Sequence, residues 1–129
     1  WAEFTAADAN EVQSVVTKAV GECDALYIPT DNTIANNTEI VKNVAVPAGI
    51  PVVTGEEGMC SGCGLATLSI SYEDLGRATG EMAYEILVEG AHISTMDVRF
   101  GPNVTKKYNA SICAELGITA PEGYEAIAE

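Results

Sequence analysis

Apolar residues recur along this chain in two alternating rhythms. Val12, Val15, Val16, Ala19 and Val20 follow one another at helical spacing, behind Asp8 or Asn10 as a cap and ahead of Gly21 as a stop. Ala25-Leu26-Tyr27-Ile28 is a short unbroken apolar run, which marks a strand buried on both faces. The alternation then repeats. A helix is predicted over about 33–46, with Ile34, Ile40, Val41, Val44 and Ala45 inward and Pro47 and Gly49 ending it. A strand is predicted at 50–54, a glycine-rich loop from Gly55 to Gly64, and a strand at 65–70. Ser71-Tyr72-Glu73-Asp74 fits a capping box, and Leu75, Ala78, Met82, Ile86 and Leu87 form the apolar stripe of the helix behind it. A strand at about 96–100 and a helix capped by Asn109 and running to about Leu116 follow, ahead of an acidic tail that contains proline.

Alternating strands and helices of this length imply an α/β fold, a parallel sheet flanked by helices and joined by right-handed crossovers. Residues 2–5 read as the end of a further strand that lacks its beginning and any earlier partner. The expectation is therefore a piece of a larger protein, with the native N-terminus upstream of Trp1. The absent Met and signal sequence then say nothing about the compartment.

Composition narrows the functional classes. In 129 residues, 47% are hydrophobic and 19% charged, a globular balance with a core of its own. Nineteen acids against six bases give a net charge of −13, which repels nucleic acid and anionic membranes alike. No apolar run approaches the roughly 20 residues of a membrane-spanning helix.

Candidate chemistry gathers after the strands, where open parallel α/β sheets bind their ligands. Thr30, Asp31 and Asn32 follow one strand, Glu56 the next, and Ser71 and Tyr72 the third. Hydroxyls, an amide, carboxylates and one aromatic ring suit an uncharged or cationic polar ligand. The plain alternative is that Asp31, Asn32 and Ser71 only cap helices. Catalysis finds no support. The single His92 sits in a turn, no nucleophile elbow or phosphate loop occurs, and adjacent Glu56 and Glu57 point apart in an extended backbone. Cys60-Ser61-Gly62-Cys63 is a CxxC motif, but it lies in a loop that leads into a strand rather than at a helix N-terminus. Cys23 precedes its strand and would sit at the opposite sheet edge, about 20 Å away, so it cannot complete a metal site. Cys113 cannot be placed. Free thiols, a local disulfide, chance spacing and a redox or metal role all stay open for Cys60 and Cys63. No metal and no cofactor is expected.

The segment Asp24-Ala25-Leu26-Tyr27-Ile28-Pro29-Thr30-Asp31-Asn32-Thr33 resembles the ABC-transporter substrate-binding proteins of the tryptophan/tyrosine-uptake type, which have a type I periplasmic-binding-protein fold. Ile50-Pro51-Val52-Val53, Gly55-Glu56-Glu57-Gly58, Leu65-Ala66-Thr67, Tyr72-x-x-Leu75-Gly76-x-x-Thr79-Gly80 and Leu116-Gly117-Ile118-Thr119 extend the resemblance over nearly the whole chain. The CxxC motif departs from it. The resemblance implies a non-enzymatic, extracytoplasmic clamp, in the periplasm or anchored as a lipoprotein. Such a clamp closes two lobes on a small ligand, an amino acid, and delivers it to a transporter permease. It implies that 1–64 belongs to the second lobe, that 65–90 crosses back towards the first, and that 91–129 supplies a hinge strand, helix and tail. Thr30, Asp31, Asn32 and Glu56 would then face the cleft, with Ser71 and Tyr72 beside the hinge. A chain lacking the first lobe is expected to bind ligand weakly and to form a homodimer, through the apolar face of the 73–87 helix or by a swap hinged at 55–64. The ligand-sensing domain of a transcription regulator, with the same fold, is the alternative, and a CxxC redox module a more distant one.

Overall fold

The computed structural model describes residues 1–128; Glu129, the last residue of the 91–129 segment, lies outside them. The elements follow the expected alternation in the first half. Helix α1 (Ala9–Glu22) starts at Asp8, whose carboxylate accepts from the Asn10 N–H, and it buries Val12, Val16 and Ala19. It runs one residue past Gly21 because Cys23, in extended backbone, is the residue that ends it. Strand β1 is Leu26–Ile28. The single helix predicted next is two, α2 (Asn32–Ala35) and α3 (Thr38–Ala45). They break at Asn36 and Asn37, where the Asn37 side-chain amide donates to the Thr33 carbonyl. Asparagine competes with the helical backbone in this way, which is why it favours boundaries. Strand β2 is Val52–Thr54.

The glycine-rich segment is not a loop. Residues 57–63 form helix α4 (Glu57–Cys63), so the CxxC motif is helical. Its glycines answer to crowding rather than to turns. A Cβ on Gly62 would come within 2.5 Å of the Thr38 Cβ, and one on Gly64 within 2.8 Å of the Cys60 Cα. Strand β3 (Ala66–Ile70) follows, then α5 (Tyr72–Leu87), where the Ser71 hydroxyl accepts from the Asp74 N–H as the capping box requires.

The strand expected at 96–100 is absent. A short 3-10 turn at Ile93–Thr95 leads into irregular chain, with Val98 and Phe100 more than three-quarters exposed. Alternating apolar residues make a strand only where a neighbouring strand completes the ladder. The strand lies further on, as β4 (Val104–Tyr108), ahead of α6 (Ala110–Leu116) and a two-residue β5 (Glu125–Ala126). Residues 2–5 likewise form no strand in this chain.

The five strands stand in the order β1-β2-β3-β4-β5. β1 pairs with β2, β2 with β3, and β4 with β5, all in parallel. The Asn109 N–H donates to the Leu65 carbonyl, which sets the end of β4 beside the start of β3 in the antiparallel sense. The chain divides into two compact units, Trp1–Ser69 with the residues from Lys106 onward, and Ile70–Thr105. The first unit holds both buried clusters. One joins Val12, Val16, Val41, Ala45, Val52 and Cys63; the other joins Leu65, Ala66, Ile112 and Cys113. Asn109 ties α6 to α4, donating to the Cys60 and Ser61 carbonyls while its oxygen caps α6. In the second unit α5 has no buried residue.

Opposite outcomes are expected for two glycine substitutions in this chain. A methyl group added at Gly80 would have nothing within 4 Å of it, so Gly80→Ala should stabilise by about 0.5–1 kcal/mol through helix propensity. Gly62→Ala should destabilise by about 1–3 kcal/mol, because the methyl group meets Thr38. Denaturant unfolding checks both; a stabilising Gly62→Ala would contradict the close approach of α4 to α3.

Candidate functional site

Parallel pairing aligns the ends of β1 and β2. Leu26 faces Val52, and Ile28 faces Thr54. The Gly55 N–H continues the ladder to the Ile28 carbonyl, so the two chains leave the sheet side by side. They are so close that a Cβ on Gly55 would lie 2.7 Å from the Thr30 N. Thr30, Asp31 and Asn32 from one loop and Glu56 from the other therefore share one edge of the first unit.

Each carboxylate at this edge starts a helix. Asp31 accepts from the Ile34 N–H at 2.9 Å and opens α2. Glu56 opens α4, one carboxylate oxygen accepting from the Gly58 N–H at 2.8 Å and the other from the Met59 N–H. An ionised carboxylate has about four acceptor sites. Capping uses one on Asp31 and two on Glu56, so both retain capacity for a further donor. Capping is real at these positions, and it leaves room for a ligand. Asn32 is exposed at the first position of α2. Ser71 and Tyr72 lie in the second unit, where Ser71 caps α5 and Tyr72 is 59% exposed at its first position. In that unit the Asn103 amide donates to Asp74, and Arg99 pairs with Glu85 at 2.6 Å.

Three residues that the sequence pattern did not single out stand behind the first-unit edge. Thr54, Thr67 and Ser69 are its buried polar side chains, each no more than 2% exposed. The Thr67 hydroxyl donates to the Thr54 carbonyl, the Thr54 hydroxyl donates to the Glu56 carbonyl, and the Ser69 oxygen accepts from the Glu57 N–H. Hydroxyls at apolar strand positions were the available signal.

A cavity of about 750 Å³ lies elsewhere, beside the outer edge of β1. Its walls are mainly apolar, with Phe4, Val15, Val16 and Leu26 among them, and of the six candidate residues only Asp31 touches it. The polar chemistry gathers at the carboxyl edge instead.

The CxxC thiols are poor nucleophiles. Burial pushes Cys60 up to about 12 and Cys63 up to about 11, helped at Cys63 by the charge of Glu56. Their sulfurs donate to the Gly64 and Met59 carbonyls. Cys113, left unplaced by the sequence, is buried in the β3–α6 cluster and also raised by burial. All four cysteines are free, and no group of three or more His, Cys, Asp and Glu among the described residues could hold a metal ion. Among the described residues no helix is long and apolar enough to cross a membrane.

Open parallel α/β sheets bind small molecules at this carboxyl edge, in enzymes and binding proteins alike, so the family decides between them. The chain belongs to the ABC transporter substrate binding protein family, whose pattern it matches over residues 1–129, and it is non-enzymatic like that family. It is 42% identical over 89 residues to the tyrosine-binding protein of Clostridioides difficile, a match that covers 69% of this chain and 26% of that protein. It superposes on a substrate binding protein with adhesive properties from Clostridium difficile, in its ligand-free, open structure. There the TM-score is 0.72 at 37% identity, covering 92% of this chain and 41% of that one. It superposes on an ABC domain from Streptococcus pneumonia in complex with L-Trp with a TM-score of 0.81 at 33% identity, covering 96% of this chain and 44% of that one. The matches thus span from about a quarter to under half of the length of these relatives.

The raised thiols fix a pH dependence. In the unfolded chain a thiol ionises near 9, whereas Cys60 and Cys63 hold their protons to about 12 and 11. Below pH 9 both states are protonated and these groups add no pH dependence. Above pH 9 the unfolded state binds fewer protons, so stability falls with pH, by about 1.4 kcal/mol per pH unit for each thiol. Unfolding measured from pH 8 to 10.5 should show that fall, and Cys60→Ala with Cys63→Ala should flatten it. An unchanged slope in the double variant would show that the thiols are not desolvated.

Proposed function

We propose that this chain contributes one side of the binding cleft of an ABC importer's solute-binding protein, and that the ligand is a small amino acid with an aromatic side chain. The observation that carries this reading is the pair of carboxylates, Asp31 and Glu56, set by adjacent parallel strands on one sheet edge with acceptor sites to spare. An ammonium group is the natural donor for such a pair, and it forms charge-assisted bonds there. Thr30 and Asn32 add donors and acceptors at the same edge. The relatives' names, one binding tyrosine and one holding L-Trp, give the ligand class.

In this reading Ser71 and Tyr72 contact the ligand from the hinge side. The 65–90 segment crosses back to a first lobe, and 91–129 supplies a hinge strand, helix and tail. The ligand's carboxylate then falls to the other lobe, and closure of the two lobes is what a transporter permease detects. The working location is outside the cytoplasm.

Calorimetry on the two-lobed protein with L-tryptophan, L-tyrosine and L-phenylalanine tests the assignment. Asp31→Asn keeps its single capping oxygen and loses the charge, and Glu56→Gln loses the charge while keeping one of its two capping oxygens. Each should weaken binding by about 10- to 150-fold, the worth of a charge-assisted bond in a closed cleft, with the fold intact. Unchanged affinity in both variants would leave these residues as caps alone.

A further inference from the structure

The buried hydroxyls at the β2–α4 corner have no use as apolar packing. Valine fits a strand interior at least as well as threonine, and a buried hydroxyl costs stability unless it is bonded. Yet the three buried polar side chains among the described residues of the first unit are all hydroxyls, and each makes a hydrogen bond around one corner. The Thr54 hydroxyl donates to the Glu56 carbonyl at 3.1 Å, and the Ser69 oxygen accepts from the Glu57 N–H at 3.2 Å. These are the two polar ends of a single peptide unit, the one joining Glu56 to Glu57. Holding both ends fixes the plane of that peptide and so limits rotation about the Glu56 Cα–C bond, on which the direction of its side chain depends. Thr67, paired with Thr54 across the sheet, donates to the Thr54 carbonyl at 2.7 Å and anchors the relay in β3.

The packing around Thr54 closes the corner from the other side. A Cβ on Gly64 would lie 2.9 Å from the Thr54 methyl and 2.8 Å from the Cys60 Cα, so only glycine lets the end of α4 pass. Cys60 is fully buried against the same turn, its thiol bonded to the Gly64 carbonyl. The CxxC motif, which the binding function does not otherwise use, thus supplies small buried side chains behind the corner.

We infer that Thr54, Thr67 and Ser69 are positioning residues for ligand recognition: through the Glu56–Glu57 peptide they aim the Glu56 carboxylate at the ligand's ammonium group. The inference rests on the proposed role of Glu56 and adds that this role depends on hydroxyls that never touch the ligand. A corner free to rotate would let the carboxylate turn wholly to its own helix or to solvent.

Two measurements test it. In this 129-residue chain, amide exchange at Gly58 and Met59 reports whether Glu56 keeps its cap. Thr67→Val should speed exchange at those two amides about five-fold or more while leaving α1 unchanged, and Thr67→Ser, which retains the hydroxyl, should not. In the two-lobed protein, binding of L-tryptophan is compared with binding of indole-3-propionate, which lacks the ammonium group. Thr54→Val, Thr67→Val and Ser69→Ala should each weaken L-tryptophan binding about five-fold, leave indole-3-propionate unaffected, and add no further loss on top of Glu56→Gln. Equal losses for both compounds, or a Thr67→Ser protein that behaves like Thr67→Val, would overturn the inference. If Glu56→Gln alone leaves L-tryptophan binding unchanged, the reading of the site fails instead. If a valine variant does not fold, the exchange rates of Ser69→Ala and Thr67→Ser decide the matter.

Discussion

The in-register parallel pairing of β1 with β2 is the constraint on which the rest of this structure depends. Because Ile28 stands opposite Thr54, the two chains leave the sheet at the same level, and Thr30 is pressed against Gly55. A slip of one residue would turn Val52 out of the core and separate the two loops. The pairing is defended from both sides. Val52 is buried among Val12, Val16, Val41 and Ala45, and Thr54 is locked to β3 by the Thr67 hydroxyl. Core packing and site geometry are thus one arrangement, because the strand that fills the core also delivers the carboxylate.

Placement at a helix start also resolves the rivalry between capping and binding. A carboxylate that accepts backbone N–H groups is held in one orientation while its remaining lone pairs stay open. On the proposed function, Asp31 and Glu56 are prepared for a cationic partner before one arrives, with little side-chain freedom left to lose on binding. The net charge of −13 draws cationic groups in the same direction.

Much of this was legible in the sequence. The runs at 25–28, 50–54 and 65–70 and the caps Asp8, Ser71 and Asn109 marked β1, β2, β3 and three helices, because apolar period and cap chemistry are local signals. The failures had non-local causes. Glycines at 58, 62 and 64 imitated a loop, although Gly62 and Gly64 answer to crowding by Thr38 and by Thr54 with Cys60. Lys106 and Lys107 hid β4, since each disguises a strand position: Lys106 lies over the Tyr124 ring and Lys107 pairs with Glu125. Val98 and Phe100 advertised a strand that the chain does not form. Thr30, Asp31, Asn32 and Glu56 were brought together as expected, whereas Thr54, Thr67 and Ser69 drew no notice, because a threonine in a strand looks ordinary until its bonds are known.

The central claim is that Glu56 meets the ligand while capping its own helix. A crystal structure of the two-lobed protein with L-tryptophan or L-tyrosine tests it most directly. The expected result places the ligand's ammonium nitrogen about 3 Å from the Glu56 carboxylate, with the Gly58 and Met59 N–H groups still bonded to that carboxylate. An ammonium group bound elsewhere, with Glu56 engaged only by α4, would contradict it.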